Sequence, residues 1–148
     1  MQLKADLDPN FHAHIIGLLR CSQFEHPKFV HFVVDTGCSI TTLLGDDVTR
    51  LSINCHGLQQ TDCNTANGMI RSYLLPQVDI ILPIQHGLFG QQVRLTSFHL
   101  ENAQCNPPTP PQPTATLIPM QTVSLLGMDI LRFFKNWKYT RNKLIMKT

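Results

Sequence analysis

A hydrophobic strand pattern that ends in one acidic turn constrains this chain more than any other feature. Residues 29–34 read Phe-Val-His-Phe-Val-Val, and β-branched and aromatic residues in such a run predict a buried strand. Asp35, Thr36 and Gly37 follow. Because glycine has no Cβ, the backbone can turn tightly at Gly37 and leave the Asp35 carboxyl group at the strand end. Taken alone, this triplet also fits a polar turn that simply closes a strand, since three-residue motifs are weak evidence.

Two later segments add specificity to the triplet. Residues 64–69 read Asn-Thr-Ala-Asn-Gly-Met between segments that can form strands, and residues 124–131 read Ser-Leu-Leu-Gly-Met-Asp-Ile-Leu. Together with the Asp35 loop, these segments resemble the retropepsin-like aspartic proteases. That family carries a catalytic loop, a flap hairpin that closes over substrate, and two apolar residues followed by a glycine and a short helix, in this order. The chain is similar to its small, single-domain microbial members.

The resemblance extends over roughly residues 11–146 and implies an all-β fold. The expected architecture is a closed, retropepsin-like acid-protease barrel with a flap hairpin, one catalytic loop per chain and one short C-terminal helix. We expect a single domain over residues 1–148, with a proline-rich loop inserted at about residues 106–119. Proline lacks a backbone donor, so this loop cannot pair within a sheet.

The same resemblance implies an aspartic endopeptidase. In such enzymes two carboxyl groups share one proton and activate one water, because repulsion prevents both from ionising together. The Asp-Thr-Gly triplet occurs once in this sequence, so the resemblance implies a homodimer in which each chain supplies Asp35. The substrate would be an extended peptide or protein, and no metal or organic cofactor is implied. A protease-like dimer that binds extended peptides without cleaving them remains the alternative.

The resemblance also assigns expected roles to individual residues. Asp35 is the expected catalytic residue. The expected supports of its loop are Thr36, Gly37 and Ser39; the expected flap and substrate-binding residues are Thr65, Ala66, Asn67, Gly68 and Met69; and the expected structural residues near the site are Leu125, Leu126 and Gly127.

Other acidic residues fit helix ends better than catalysis. Residues 45–51 predict a short helix after the strand pattern at residues 40–44, and Asp46 and Asp47 fall in its first turn, where the helix dipole favours negative charge. Asp129 lacks the Thr-Gly that follows a catalytic aspartate in two-lobed pepsins, and it begins the helical pattern near the C-terminus. We therefore expect helix capping at all three positions.

Further strand patterns define the rest of the sheet. Alternating residues predict an opening hairpin of residues 11–15 with residues 28–34, and later strands at residues 72–84 and 92–100. Residues 136–146 predict a hairpin around Thr140-Arg141-Asn142. Retroviral enzymes end instead in a single short strand, so this hairpin predicts a differently built dimer interface.

Composition and cysteine spacing exclude several classes of partner. The formal net charge is +2 and 15% of the residues are charged, which gives no basic stripe of the kind found in nucleic-acid binders. No apolar run has the length of a membrane span, and the N-terminus lacks the apolar core of a signal peptide. We therefore expect no nucleic-acid or membrane partner and a cytoplasmic location.

The five cysteines are an odd number without paired spacing, so free thiols are expected.

Histidine and cysteine positions do not predict a metal site. His12 and His14 would share one face of a strand, and Cys55 and His56 lie near Cys63 in the sequence. No spacing among these residues matches a known ligand set. Histidines scattered over surface and core explain the pattern.

Overall fold

The computed structural model describes residues 1–65, 68–87, 91–108 and 123–148. Within these ranges the chain forms ten strands and two short helices. The strands are β1 (Gln2–Leu7), β2 (Ala13–Arg20), β3 (Lys28–Val34), β4 (Thr42–Leu43), β5 (Gln59–Thr65), β6 (Gly68–His86), β7 (Gln92–Cys105), β8 (Ser124–Leu126), β9 (Asn136–Tyr139) and β10 (Lys143–Lys147), and the helices are α1 (Gly45–Arg50) and α2 (Met128–Leu131). The predicted predominance of strands is confirmed.

All ten strands of the described residues belong to one sheet. Their order is β5-β6-β7-β4-β8-β3-β2-β1-β10-β9, and the long strand β6 also pairs with β2 and β1. Most neighbours are antiparallel, whereas β3 pairs with β8, and β4 with β7, in parallel. The fold is thus mainly β, as expected, while closure of the sheet into a barrel stays a prediction.

The longest strands, β6 and β7, provide the main apolar face. In β6, Val78, Ile80, Leu82 and Ile84 alternate along the strand and are fully buried. This period of two places them on one side of the sheet, where they pack into the core. β6 and β7 pair in antiparallel register from Tyr73–Cys105 to His86–Gln92, which confirms the strands predicted at residues 72–84 and 92–100 and lengthens both.

The predicted opening hairpin is formed by β2 and β3. Ile15 lies opposite Phe32, and His14 lies opposite Val33, so the start of β2 is beside the end of β3. Strand β1, which precedes the range expected for the core, pairs with β10, β2 and β6. The first residues of the chain therefore contribute to the sheet.

The predicted C-terminal hairpin is confirmed by β9 and β10. Tyr139 lies opposite Leu144 at the turn, and the Trp137 indole Nε1–H donates to the Phe134 carbonyl at 2.8 Å. β10 in turn pairs with β1, where Leu3 lies opposite Met146 and both side chains are fully buried. The two ends of the chain are adjacent strands.

The aspartates of α1 do not cap it as expected. The N-cap is Leu44, which has no side-chain capping bond. Asp47 is buried and accepts hydrogen bonds from Arg50 Nη2 at 2.6 Å and from Ser124 Oγ at 2.6 Å. Its carboxylate therefore joins α1 to β8. These two bonds also compensate for burying the charge, since a buried charge is tolerated where it is paired. The helix itself lies where the sequence predicts it.

Three other expectations meet the structure to different extents. The described cysteine side chains, Cys21, Cys38, Cys55 and Cys105, are free thiols. Residues 109–119 of the proline-rich loop lie outside the described residues. In the part of the chain that is described, neither helix has the length and apolar character needed to cross a membrane.

Candidate active site

Asp35 immediately follows β3 in the middle of the sheet. The Asp35 amide donates to the Leu126 carbonyl at 3.1 Å, which extends the parallel pairing of Val34 with Leu126 by one residue. Leu126 is fully buried, whereas Asp35 is partly exposed. The sheet thus fixes the backbone of the aspartate, and its carboxylate remains accessible.

The turn after Asp35 holds the carboxylate itself. The Gly37 amide donates to Asp35 Oδ1 at 2.9 Å, and the Cys38 amide donates to the Asp35 carbonyl at 3.3 Å. A Cβ on residue 37 would lie 3.2 Å from Asp35 Oδ1, so glycine leaves room for this close contact. Thr36 and Ser39 are exposed beside it. One carboxylate oxygen is therefore oriented by a backbone donor in the tight turn predicted at Gly37.

Gly127 allows the segment after β8 to cross close to this loop. A Cβ on Gly127 would lie 2.6 Å from the Ile40 carbonyl carbon and 2.7 Å from the Thr41 nitrogen, distances that side-chain carbons do not tolerate against backbone. The Met128 amide donates to the Cys38 carbonyl at 2.8 Å. The structure thus brings the predicted segment Leu125 to Gly127 against the Asp35 loop.

Asp129 and Thr41 form a hydrogen-bonded brace under the loop. Asp129 Oδ2 accepts from the Thr41 amide at 2.8 Å, and Asp129 Oδ1 accepts from Thr41 Oγ1 at 2.7 Å and from the Ile130 amide at 2.9 Å. Thr41 Oγ1 accepts in turn from the Gly127 amide at 3.1 Å, and Thr41 is fully buried. We call Thr41 and Asp129 the loop brace.

The loop brace corrects the expectation that Asp129 caps α2. The N-cap is Gly127, and no side chain caps this helix. Both carboxylate oxygens of Asp129 instead accept hydrogen bonds from Thr41, 88 positions earlier in the chain. Sequence reasoning missed Thr41, because a hydroxyl that satisfies a distant carboxylate leaves no local pattern.

Cys38 fills a small, polar space within the loop. Its Sγ donates to the Ile40 carbonyl at 2.8 Å and lies 3.4 Å from Thr42 Oγ1. Burial raises the pKa of the Cys38 thiol, which keeps it protonated as the donor of that bond. The residue thus supports the loop as a neutral thiol.

The predicted flap is a hairpin of β5 and β6. Asn64 lies opposite Met69 and Thr65 opposite Gly68, and Gly68 has φ +107°, a value that favours glycine. Ala66 and Asn67, the predicted tip, lie outside the described residues. Met69 is exposed. The hairpin lies at the β5 edge of the sheet, whereas β3 and β8 hold Asp35 near its middle.

Comparison with known proteins identifies a similar fold among solved structures. No family model and no curated protein matches the sequence. Among solved structures, the chain is similar to a retropepsin-like aspartic protease from Rickettsia conorii, with 21% sequence identity, a TM-score of 0.59, and 98% of each chain covered. Identity at this level is informative about architecture only. From end to end, therefore, this chain shares the fold of a retropepsin-like aspartic protease.

Proposed function

We propose that the protein is an aspartic endopeptidase that works as a homodimer, with one Asp35 carboxyl from each chain. The observation that carries this proposal is the Asp35 carboxylate, which is partly exposed and has one oxygen oriented by the Gly37 amide at 2.9 Å. A carboxylate that only closed a turn would not need the crossing at Gly127 and the loop brace beneath it. The chain shares the fold of a retropepsin-like aspartic protease, and because one fold can host many functions, the proposal depends on the geometry at Asp35.

Two copies of the loop supply what one copy lacks. When two carboxyl groups face each other, repulsion favours the state with one shared proton. The ionised group then takes a proton from water as it attacks the peptide carbonyl, and the protonated group donates to the developing oxyanion. The exposed Thr36 and Gly37 form the rim of the loop, which is the surface available to a second copy.

The substrate of this proposed enzyme is an extended polypeptide. The hairpin of β5 and β6, with its expected tip at residues 65–69, closes over the peptide and adds backbone hydrogen bonds to it. An extended chain offers such bonds along its whole length, so the proposed flap would hold the substrate mainly through its backbone.

The first experiment is cleavage of a mixed peptide library between pH 4 and pH 7 by the wild type and by Asp35→Asn. Cleavage should fall by about 100-fold or more in the variant, because both carboxyl groups of the homodimer are then amides, which can neither take a proton from water nor donate a shared one. It should also weaken toward the alkaline end, where both carboxyl groups of the pair ionise. Retained cleavage by a folded Asp35→Asn dimer would exclude Asp35 from the chemistry, and a folded wild-type dimer that cleaves nothing would favour peptide binding alone.

A mixing experiment tests the shared site directly. In an equal mixture of wild-type and Asp35→Asn chains, random exchange leaves about one quarter of the dimers with both carboxyl groups, so activity per wild-type chain should fall by about half. The matched control is Asp46→Asn, which removes the same charge from an exposed position on α1. Mixing it with the wild type should leave the activity per chain unchanged. Activity proportional to the amount of wild-type chain would contradict the homodimer.

A further inference from the structure

A second cluster of ionisable side chains lies where the turn after β1 leads into β2, with Asp8 and His12 in the turn and His14 on β2. Asp8 Oδ2 is 3.1 Å from His12 Nδ1 and 3.1 Å from His14 Nε2. Each of the three residues offers one ligand atom within 4.8 Å of a ligand atom of the other two. We call Asp8, His12 and His14 the turn triad. It combines one carboxylate oxygen with two imidazole nitrogens.

The turn holds the Asp8 carboxylate in place without using Oδ2. Asp8 Oδ1 accepts from the Asn10 amide at 2.8 Å and from the His12 amide at 2.9 Å. The Asp8 amide also donates to the His12 carbonyl at 3.0 Å. Backbone donors therefore fix one oxygen, so the other points toward both imidazoles with little freedom left to lose on binding a ligand.

From this arrangement we propose that the turn triad binds one Zn²⁺ ion, through Asp8 Oδ2, His12 Nδ1 and His14 Nε2. Zn²⁺ takes imidazole and carboxylate ligands at about 2.0–2.2 Å in tetrahedral geometry, which places neighbouring ligand atoms about 3.3 Å apart. The two measured separations of 3.1 Å are close to that value. His12 is exposed, so its ring can move the remaining distance toward His14.

The composition of the turn triad selects among metal ions. Mg²⁺ and Ca²⁺ require mainly oxygen ligands, and the triad supplies only one carboxylate, whereas imidazole nitrogen suits Zn²⁺ and its neighbours in the transition series. Three protein ligands leave the fourth tetrahedral position to water. The exposed side of the turn at His12 gives water access to that position.

His31 lies beside the proposed ligand His14, on the side of the ring that faces away from Asp8. Its Nε2 lies 3.1 Å from His14 Nδ1. A histidine that binds metal through Nε2 keeps its proton on Nδ1 and usually donates it to a neighbouring acceptor, which fixes the ring and strengthens the metal bond. His31 Nε2 is placed to be that acceptor. In the ion-free protein His14 Nε2 lies 3.1 Å from Asp8 Oδ2, so a bound ion would replace any proton on Nε2 and leave the ring proton on Nδ1.

The site would lie beside the strand that precedes Asp35. His14 lies opposite Val33, two residues before Asp35, and Asp8 follows β1. A bound ion would therefore tie the end of β1 to the start of β2 beside the end of β3. This assignment depends on neither the dimer nor peptidase activity.

Isothermal titration calorimetry of the metal-free protein with Zn²⁺ alone tests the site. One ion per chain is expected, and Asp8→Asn and His14→Gln should each weaken binding by about tenfold or more. The matched control is His26→Gln, which removes an exposed imidazole from the connection between β2 and β3 and should bind as the wild type does. Circular dichroism identifies any variant that has lost its fold.

Nitrogen-15 NMR of the histidine rings gives a readout that does not depend on variants. On adding Zn²⁺, His14 Nε2 and His12 Nδ1 should change to the shifts of metal-bound nitrogen, with His14 Nδ1 protonated. Failure to bind in a saturable manner would overturn the proposal. So would equal binding by the wild type, Asp8→Asn and His14→Gln, or coordination through other nitrogens or through thiols.

Discussion

Replacing Asp129 by asparagine tests the loop brace without changing the shape of the residue. Asp129 Oδ2 faces the Thr41 amide, and Oδ1 faces both the Thr41 hydroxyl and the Ile130 amide. An asparagine must place its NH2 group against a donor in either orientation of the amide, so rotation cannot restore every bond. Since Thr41 is fully buried, water cannot replace the lost acceptor.

The cost of this change follows from the number and type of bonds. A hydrogen bond to a charged group contributes about 1.5–3 kcal/mol, and one such bond is lost. The remaining bonds pass from a charged to a neutral acceptor and lose part of their strength. The free energy of unfolding should therefore fall by roughly 3 kcal/mol, which lowers Tm by about 6–12 °C for a chain of this length.

Thermal unfolding followed by circular dichroism measures the effect, with Asp46→Asn as the control for the loss of one charge. The exposed Asp46 should cost no more than about 0.5 kcal/mol. A fall in Tm for Asp129→Asn that equalled the control would refute the reasoning about the brace. Peptide cleavage per folded dimer should persist, because Asp129 does not reach the reacting atoms of the proposed enzyme; its loss with fold and dimer intact would place Asp129 in the chemistry.

Two more predictions concern other close contacts in the sheet. Gly127→Ala should destabilise the protein by about 3 kcal/mol or prevent folding, because the new Cβ meets the Ile40 and Thr41 backbone, which cannot rotate away; urea unfolding measures this, and near-wild-type stability would contradict the crossing. Hydrogen bonds from His99 and Arg20 hold the pKa of the Asp79 carboxyl below its usual range, so this contact stabilises the protein above about pH 4 and is lost as the pH falls further. Asp79→Asn should flatten the fall of Tm in acid below pH 4 relative to Asp46→Asn, and an unchanged slope would count against the contact.

The sequence could predict the Asp35 loop because its information is local. A hydrophobic strand, an acid and a glycine define the turn within a few residues. The C-terminal hairpin follows from its own alternation in the same way. Such features depend on neighbours in the chain, so a single sequence carries them. The place of Leu126 and Gly127 beside the Asp35 loop is a long-range contact, which only the resemblance to retropepsin-like proteases indicated.

Contacts between distant residues could not be predicted in this way. Asp47 accepts from Ser124, and Asp129 accepts from Thr41, so these two first-turn aspartates, which resemble helix caps in the sequence, are partners of distant hydroxyl groups. The turn triad is local in sequence, but it was missed for another reason: the spacing of His12 and His14 indicates a shared face, whereas the approach of Asp8 to both rings depends on the conformation of the turn. Strand β1 did leave a signal, since Leu3, Ala5 and Leu7 alternate with polar residues.

The pairing of β1 with β10 has a consequence for how the chain reaches this fold. Within the described residues β1 is synthesised before the other strands, yet its longest pairing is with β10, which is synthesised after them, and Leu3 lies opposite Met146. Contacts so far apart in sequence close large loops, and such topologies fold slowly. Until β10 emerges from the ribosome, β1 can use only its short pairings with β2 and β6. Completion of the sheet therefore requires synthesis of β10, and a nascent chain that still lacks this strand exposes an unpaired edge of β1 open to association with other chains.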